Sequence, residues 1–211
     1  MTGIGRIIET EAHVAEGAAW LAARDPRFAA LLAETGPLPL RRRPDGFAAL
    51  FDAILGQQVS TASAEAIRRR LEAAGLFAEG PVALASEDDL RACGLSGPKT
   101  RYARALARAG IDYAALREAP DAEVIATLVA LPGIGRWTAE IYALISLGRA
   151  DVFAPGDLAL QEAARMIFDL PERPTEPALR AMAEDWRPWR AVAARALWAY
   201  YRLKQRREGI R

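Results

Sequence analysis

The chain has one cysteine, Cys93, and one histidine, His13, in 211 residues. A single thiol excludes an internal disulfide, a four-cysteine zinc site and a four-cysteine iron–sulfur cluster. The lone histidine lies far along the chain from the glycine-rich and aspartate-bearing segments described below, so a histidine base is not expected. Long apolar runs are missing too. No segment reaches the roughly 18–20 consecutive apolar residues of a membrane helix, and no membrane partner is expected. The opening "MTGIGRIIETEAHVAEG" places acidic residues early with no apolar block, which is not the shape of a signal peptide. A reducing cytoplasm is the expected location. β-branched residues are sparse beside alanine, leucine and arginine, which favours an all-α chain. Nor is there a charge excess: 28 basic residues face 27 acidic ones, for a net charge of +1. That is not the surplus of a protein that coats polyanions indiscriminately.

What is present is a 52% apolar composition, enough for a real core. Basic residues are clustered at Arg41–Arg43, Arg68–Arg70 and along the tail Arg202–Arg211. Such runs serve as solvated helix faces or as contacts to nucleic-acid phosphates, and clustering alone leaves both open. Helical spacing recurs along the chain. Phe47, Leu50, Phe51, Ile54 and Leu55 mark one stripe; Val124, Ile125, Leu128 and Val129 a second; Trp137, Ile141, Leu144 and Ile145 a third. Ser86 is placed to cap a helix that Gly94 stops. Pro98 restarts one that Gly110 stops. The patterning predicts about ten helices and no strand beyond a short extended piece near Ile4–Ile8.

Between the second and third stripes stands "LPGIGRW", Leu131–Trp137. Pro132 disfavours helical geometry at Leu131. Gly133 can adopt positive φ, and Gly135 leaves room for another backbone to approach. Arg136 then begins a helix, whose first N–H groups suit an anion. A tight turn between helices and a seat for a phosphate are both consistent with these residues. Further on, "APGDLALQEAARMIF" puts Asp157 at a helix start, where aspartate is a common cap.

Taken in order, "AILGQQVSTASA", "LPGIGRWTAEIYALISLGRADVFAPGDLAL" and "EDWRPWRAVAARALWAYY" resemble the helix–hairpin–helix (HhH-GPD) DNA glycosylases. The match runs from about Asp25 to Tyr201. It is nearest the 3-methyladenine DNA glycosylase II, or alkylation-repair, branch, in a compact form without the N-terminal β domain. The resemblance implies an all-α fold of two helical subdomains with the active site in the cleft between them. One subdomain is expected over 46–150, with a wedge loop and the hairpin. The other joins 1–45 to 151–211 and carries the aspartate.

The resemblance also implies chemistry. Asp157 is the expected catalytic carboxylate, stabilising the cationic sugar formed as an alkylated base such as 3-methyladenine or 7-methylguanine departs. Asp151, nearby, is read as structural. In bifunctional relatives a lysine attacks the sugar carbon from the position held here by Trp137, and tryptophan forms no imine. A monofunctional glycosylase without lyase activity follows. Trp137 and Trp198 are expected to line the base pocket, with Ile141 where a better-known relative has tyrosine, giving a thinner stacking wall. Core packing is the alternative for both tryptophans. Gln58 is the expected wedge that fills the gap left by the flipped base. Ser60 and Thr61 either cap the following helix or bond phosphate oxygens. The amides of the Gly133–Ile134–Gly135 hairpin are expected to hold a phosphate. The carbonyls of Val129, Leu131 and Ile134 match those that hold a structural Na+ or K+ when DNA is bound; no catalytic cofactor is implied. Lys99 and Arg101 are expected to reach the opposite backbone.

The implied partner is duplex DNA carrying alkylated bases, and the implied protein a monomer of bacterial type, nucleoid-associated when bound. Two alternatives stand beside this reading. An oxidised-guanine glycosylase is disfavoured by Trp137. A noncatalytic DNA clamp gives no reason for a carboxylate in "PGD".

Overall fold

The computed structural model describes residues 4–207. Two helices open the chain, α1 (Glu11–Arg24) and α2 (Pro26–Thr35). Eight follow: α3 (Phe47–Leu55), α4 (Thr61–Ala73), α5 (Glu79–Leu84), α6 (Glu87–Ala92), α7 (Gly97–Arg108), α8 (Tyr113–Glu118), α9 (Asp121–Val129) and α10 (Arg136–Ile141). A π-helical turn, Tyr142–Ser146, leads on to α11 (Leu158–Ile167), α12 (Glu176–Met182) and α13 (Arg190–Arg207). The described residues contain no strand. The expected extended piece is an isolated bridge between Ile7 and Arg149, in which Ile8 N donates to Gly148 O (2.7 Å) and Ala150 N to Arg6 O (2.9 Å). The end of the basic tail, residues 208–211, lies outside the described residues.

Two compact units divide the chain. One comprises Arg43–Tyr142; the other joins Met1–Arg42 to Ala143–Arg211.

In the 43–142 unit the stripe expected on α3 is the core. Leu50, Phe51, Ile54 and Leu55 are fully buried, and Phe51 stacks on Phe77 at 5.3 Å. Burying such side chains stabilises the unit by about 1.5–3 kcal/mol each. Ser86 caps α6 in a reciprocal box with Asp89, and Gly94 ends it at φ +101°. On α9 the burial is narrower than the spacing suggested: Val124 and Leu128 point inward, Ile125 is half-buried and Val129 is 43% exposed. Tyr142 is buried with its hydroxyl accepting from Gly46 N (2.9 Å), and burial pushes its pKa up to about 12.

The other unit is built around α13. Gly17 of α1 lies so close to Trp189 and Val192 that a Cβ there would overlap both side chains. Phe28, Phe153 and Phe168 surround the Trp186 ring. On α13, Ala191, Val192, Ala193, Ala194, Ala196 and Leu197 are fully buried, together with Arg195. Arg195 donates to Leu40 O (3.0 Å) and Ala191 O (2.8 Å). Burial, reinforced by the nearby Arg42, pulls its pKa down to about 10.

Candidate active site

The "PGD" segment is a stitched turn. Asp157 N donates to Ala154 O (3.0 Å), and the buried Gln161 side chain donates to Pro155 O (2.8 Å). Gln161 lies one turn into α11 and had no signal of its own in the sequence. The turn sets Asp157 as the N-cap of α11. Its Oδ1 accepts from Ala159 N (3.0 Å) and Leu160 N (3.1 Å). Asp157 therefore does the capping job that its position suggests, and it is half-buried rather than sealed. A third donor reaches the same oxygen: Trp198 Nε1, from α13, at 3.2 Å. Three N–H groups aim their positive ends at one carboxylate oxygen, and all three come from helices fixed by the core. Trp198 is half-buried, with the Arg41 guanidinium over its ring at 5.4 Å from the centroid. Asp151 is structural, as expected. Arg190 and Arg187 grip both of its oxygens, with Nε contacts of 2.8 and 2.9 Å. His13 sits in α1 and accepts from Glu9 N (3.2 Å).

In the 43–142 unit the hairpin joins α9 to α10. Gly133 has φ +86°, and a Cβ there would overlap the Tyr102 ring, so two independent constraints require glycine. Beside Gly135 there is open space, with no atom beyond its chain neighbours within 4 Å of where its Cβ would be. Gly135 caps α10 without any side-chain bond. Ile134 is buried, and its N–H donates to Leu131 O (3.1 Å).

Past the hairpin, Trp137 is 47% exposed and Ile141 half-buried, while Thr138, Ala139 and Tyr142 face the core. Along the stripe beginning at Trp137, Leu144 is fully buried and Ile141 and Ile145 are half-buried, so Trp137 is the member turned most to solvent. Core packing of Trp137 is excluded.

The loop after α3 is tied down from two directions. Gln57 Nε2 donates to Gly133 O (2.7 Å), linking the loop to the hairpin. Lys99 Nζ donates to Leu55 O (2.6 Å) at the C-terminal end of α3, where a cation also suits the helix dipole. Between these ties Gln58 is exposed and left-handed, at φ +56°. A non-glycine residue held there is strained, and such strain is typical of functional loops. Nothing local in the sequence marks Gln57, whose partner is 76 residues away. Lys99 requires a correction. It is buried rather than offered to DNA, its ammonium is committed to Leu55, and burial lowers its pKa. Arg101 remains exposed. Ser60 caps α4, accepting from Ser63 N (3.2 Å).

A glycine hairpin between two helices, followed by a Pro-Gly-Asp turn that delivers a carboxylate at a helix start, defines a class of DNA-repair fold. Residues 51–188 match the HhH-GPD superfamily base excision DNA repair proteins, and the chain belongs to that superfamily. It is 28% identical over 194 residues to DNA-3-methyladenine glycosylase 1 of Schizosaccharomyces pombe, covering 88% of this chain and 85% of that protein. A solved structure of the S. pombe 3-methyladenine DNA glycosylase in complex with abasic DNA superposes with a TM-score of 0.74, at 28% identity, covering 87% of this chain and 95% of that one. The crystal structure of a DNA-3-methyladenine glycosidase from Bacillus halodurans gives a TM-score of 0.80 at 31% identity, with 88% of each chain covered.

Proposed function

We propose that this protein hydrolyses the N-glycosidic bond of alkylated bases, of the 3-methyladenine and 7-methylguanine type, in duplex DNA. The observation that carries the proposal is Asp157: a half-exposed carboxylate held by two amides of α11 and the indole of Trp198.

An alkylated purine is already cationic and leaves as a neutral base. The difficult charge is on the sugar, which becomes oxocarbenium-like as the bond stretches. A fixed carboxylate stabilises that cation without reorganising, and water completes the substitution at C1′. Trp137 offers an exposed ring to the flipped base; a cation over it gains about 0.5–2 kcal/mol. Gln58, held in a strained loop by its neighbours, fills the vacated stack and meets the orphaned base.

The hairpin amides around Gly133 and Gly135 hold a backbone phosphate, with open space beside Gly135 for it. The carbonyls of Val129, Leu131 and Ile134, the positions the resemblance gives for a monovalent cation, would offer it neutral oxygens. Such an ion would neutralise part of that phosphate's charge and takes no part in bond breaking. The protein acts as a monomer, and Trp137, in the lyase lysine's place, makes it monofunctional.

The test is base release from duplexes carrying 7-methylguanine, 3-methyladenine or 8-oxoguanine by wild type and Asp157→Asn. Release of the alkylpurines by wild type alone is expected. Preferential release of 8-oxoguanine would overturn the substrate reading, and equal release by both proteins the role of Asp157. Borohydride should trap no covalent complex with damaged DNA; efficient trapping would overturn the monofunctional reading.

A further inference from the structure

The strap between α2 and α3 contains the Arg41–Arg43 triplet, to which the proposed function assigns no role. The strap is not loose. Leu38 is buried, and the buried Arg195 clamps Leu40 O at 3.0 Å. The next residue, Arg41, is left-handed at φ +50°, a conformation strained for a non-glycine residue. Its guanidinium lies over the Trp198 ring, 5.4 Å from the centroid. Trp198 is the side chain that bonds the Asp157 carboxylate. Anion, indole and cation thus follow one another: Asp157, Trp198, Arg41.

We propose that Arg41 is a specificity-determining residue that extends base release to neutral purines. The inference rests on the glycosylase reading above. When a neutral purine leaves, the C1′–N9 bond breaks with its electron pair going to the base. Negative charge grows on the base as positive charge grows on the sugar. Water then supplies hydroxyl to C1′ and a proton to the base. That transition state is a dipole, and a carboxylate beside the sugar with a guanidinium beside the base is its complement. The N–H donors of arginine also match the paired acceptors O6 and N7 of a 6-oxopurine. A cationic base leaves as a neutral molecule, develops no negative charge, and gains nothing from Arg41.

The experiment compares release of hypoxanthine, a neutral 6-oxopurine, with release of 7-methylguanine, from matched duplexes. Wild type, Arg41→Gly and Arg41→Lys are assayed. Glycine accepts the left-handed backbone, so Arg41→Gly removes the guanidinium without adding strain; thermal melting checks its folding. The hypoxanthine-to-7-methylguanine rate ratio should fall about tenfold or more in Arg41→Gly and recover partly in Arg41→Lys. An unchanged ratio would overturn the proposal. So would an equal fall on both substrates, which marks a phosphate contact, or wild type that releases 7-methylguanine but never hypoxanthine. Binding of duplexes carrying the same two bases on non-cleavable 2′-fluoro sugars reads the same discrimination without turnover. If wild type releases neither base, the glycosylase reading fails. A binding ratio that is then also unmoved by Arg41→Gly overturns this proposal separately.

Discussion

Trp198 Nε1 lies 3.2 Å from Asp157 Oδ1, so a residue of α13 fixes the carboxylate that begins α11. The two helices pack against each other, and each carries fully buried alanines. The sequence points to Trp198 as a wall of the base pocket; its bond to Asp157 holds the charged group still. Trp198→Phe keeps the ring and deletes the donor. It should lower kcat about three- to tenfold with little change in KM, because the lost contact serves the transition state. A rise in KM with kcat intact would show that Trp198 only binds.

Asp157→Asn separates chemistry from architecture. Asparagine caps helices as well as aspartate does, so its Oδ1 should still accept from Ala159 and Leu160. Base release should fall at least about a hundredfold. The melting temperature should stay within a few degrees. A large drop in melting temperature would mean that the charge is needed for folding.

The hairpin glycine answers to two constraints at once. Gly133→Ala should destabilise the protein by about 1–3 kcal/mol, from positive φ and the Tyr102 overlap together. Adding Tyr102→Ala removes the ring contacts at 2.4 and 2.5 Å but leaves the residue-102 Cβ at 2.8 Å and the backbone strain. Denaturant melts of the single and double variants should therefore show partial recovery relative to Gly133→Ala; complete recovery would show that sterics alone require the glycine.

Lys99 makes a prediction about pH. Burial lowers its folded pKa below the ordinary lysine value, so between the two values the unfolded chain holds more protons than the native one. Stability from this group then rises as pH climbs through the depressed value, and levels off above the ordinary one. Wild type should gain stability relative to Lys99→Met on going alkaline. Unfolding titrations across that window would show it; a relative loss contradicts the burial. The salt dependence of DNA binding should not change in Lys99→Met, whereas Arg101→Ala should reduce its log–log slope by about 0.9.

The helical class, the caps at Ser86 and Asp157, the stop at Gly94 and the left-handed Gly133 were all legible in the chain, because each is a property of a few consecutive residues and their backbone freedom. The order of the wedge segment, the hairpin and "PGD" likewise identified the superfamily without coordinates. Pairings across long stretches of chain were not legible. Nothing local says that Gln57 rather than Gln58 bonds the hairpin, that Lys99 turns inward to Leu55, or that Trp198 grips Asp157. A side chain's partner depends on which helix packs beside it, and helix packing is settled by the whole core rather than by neighbours in sequence. The same cause set the exposure of Trp137: periodicity marked a stripe, but only the packing of the whole core decided which of its members turned to solvent.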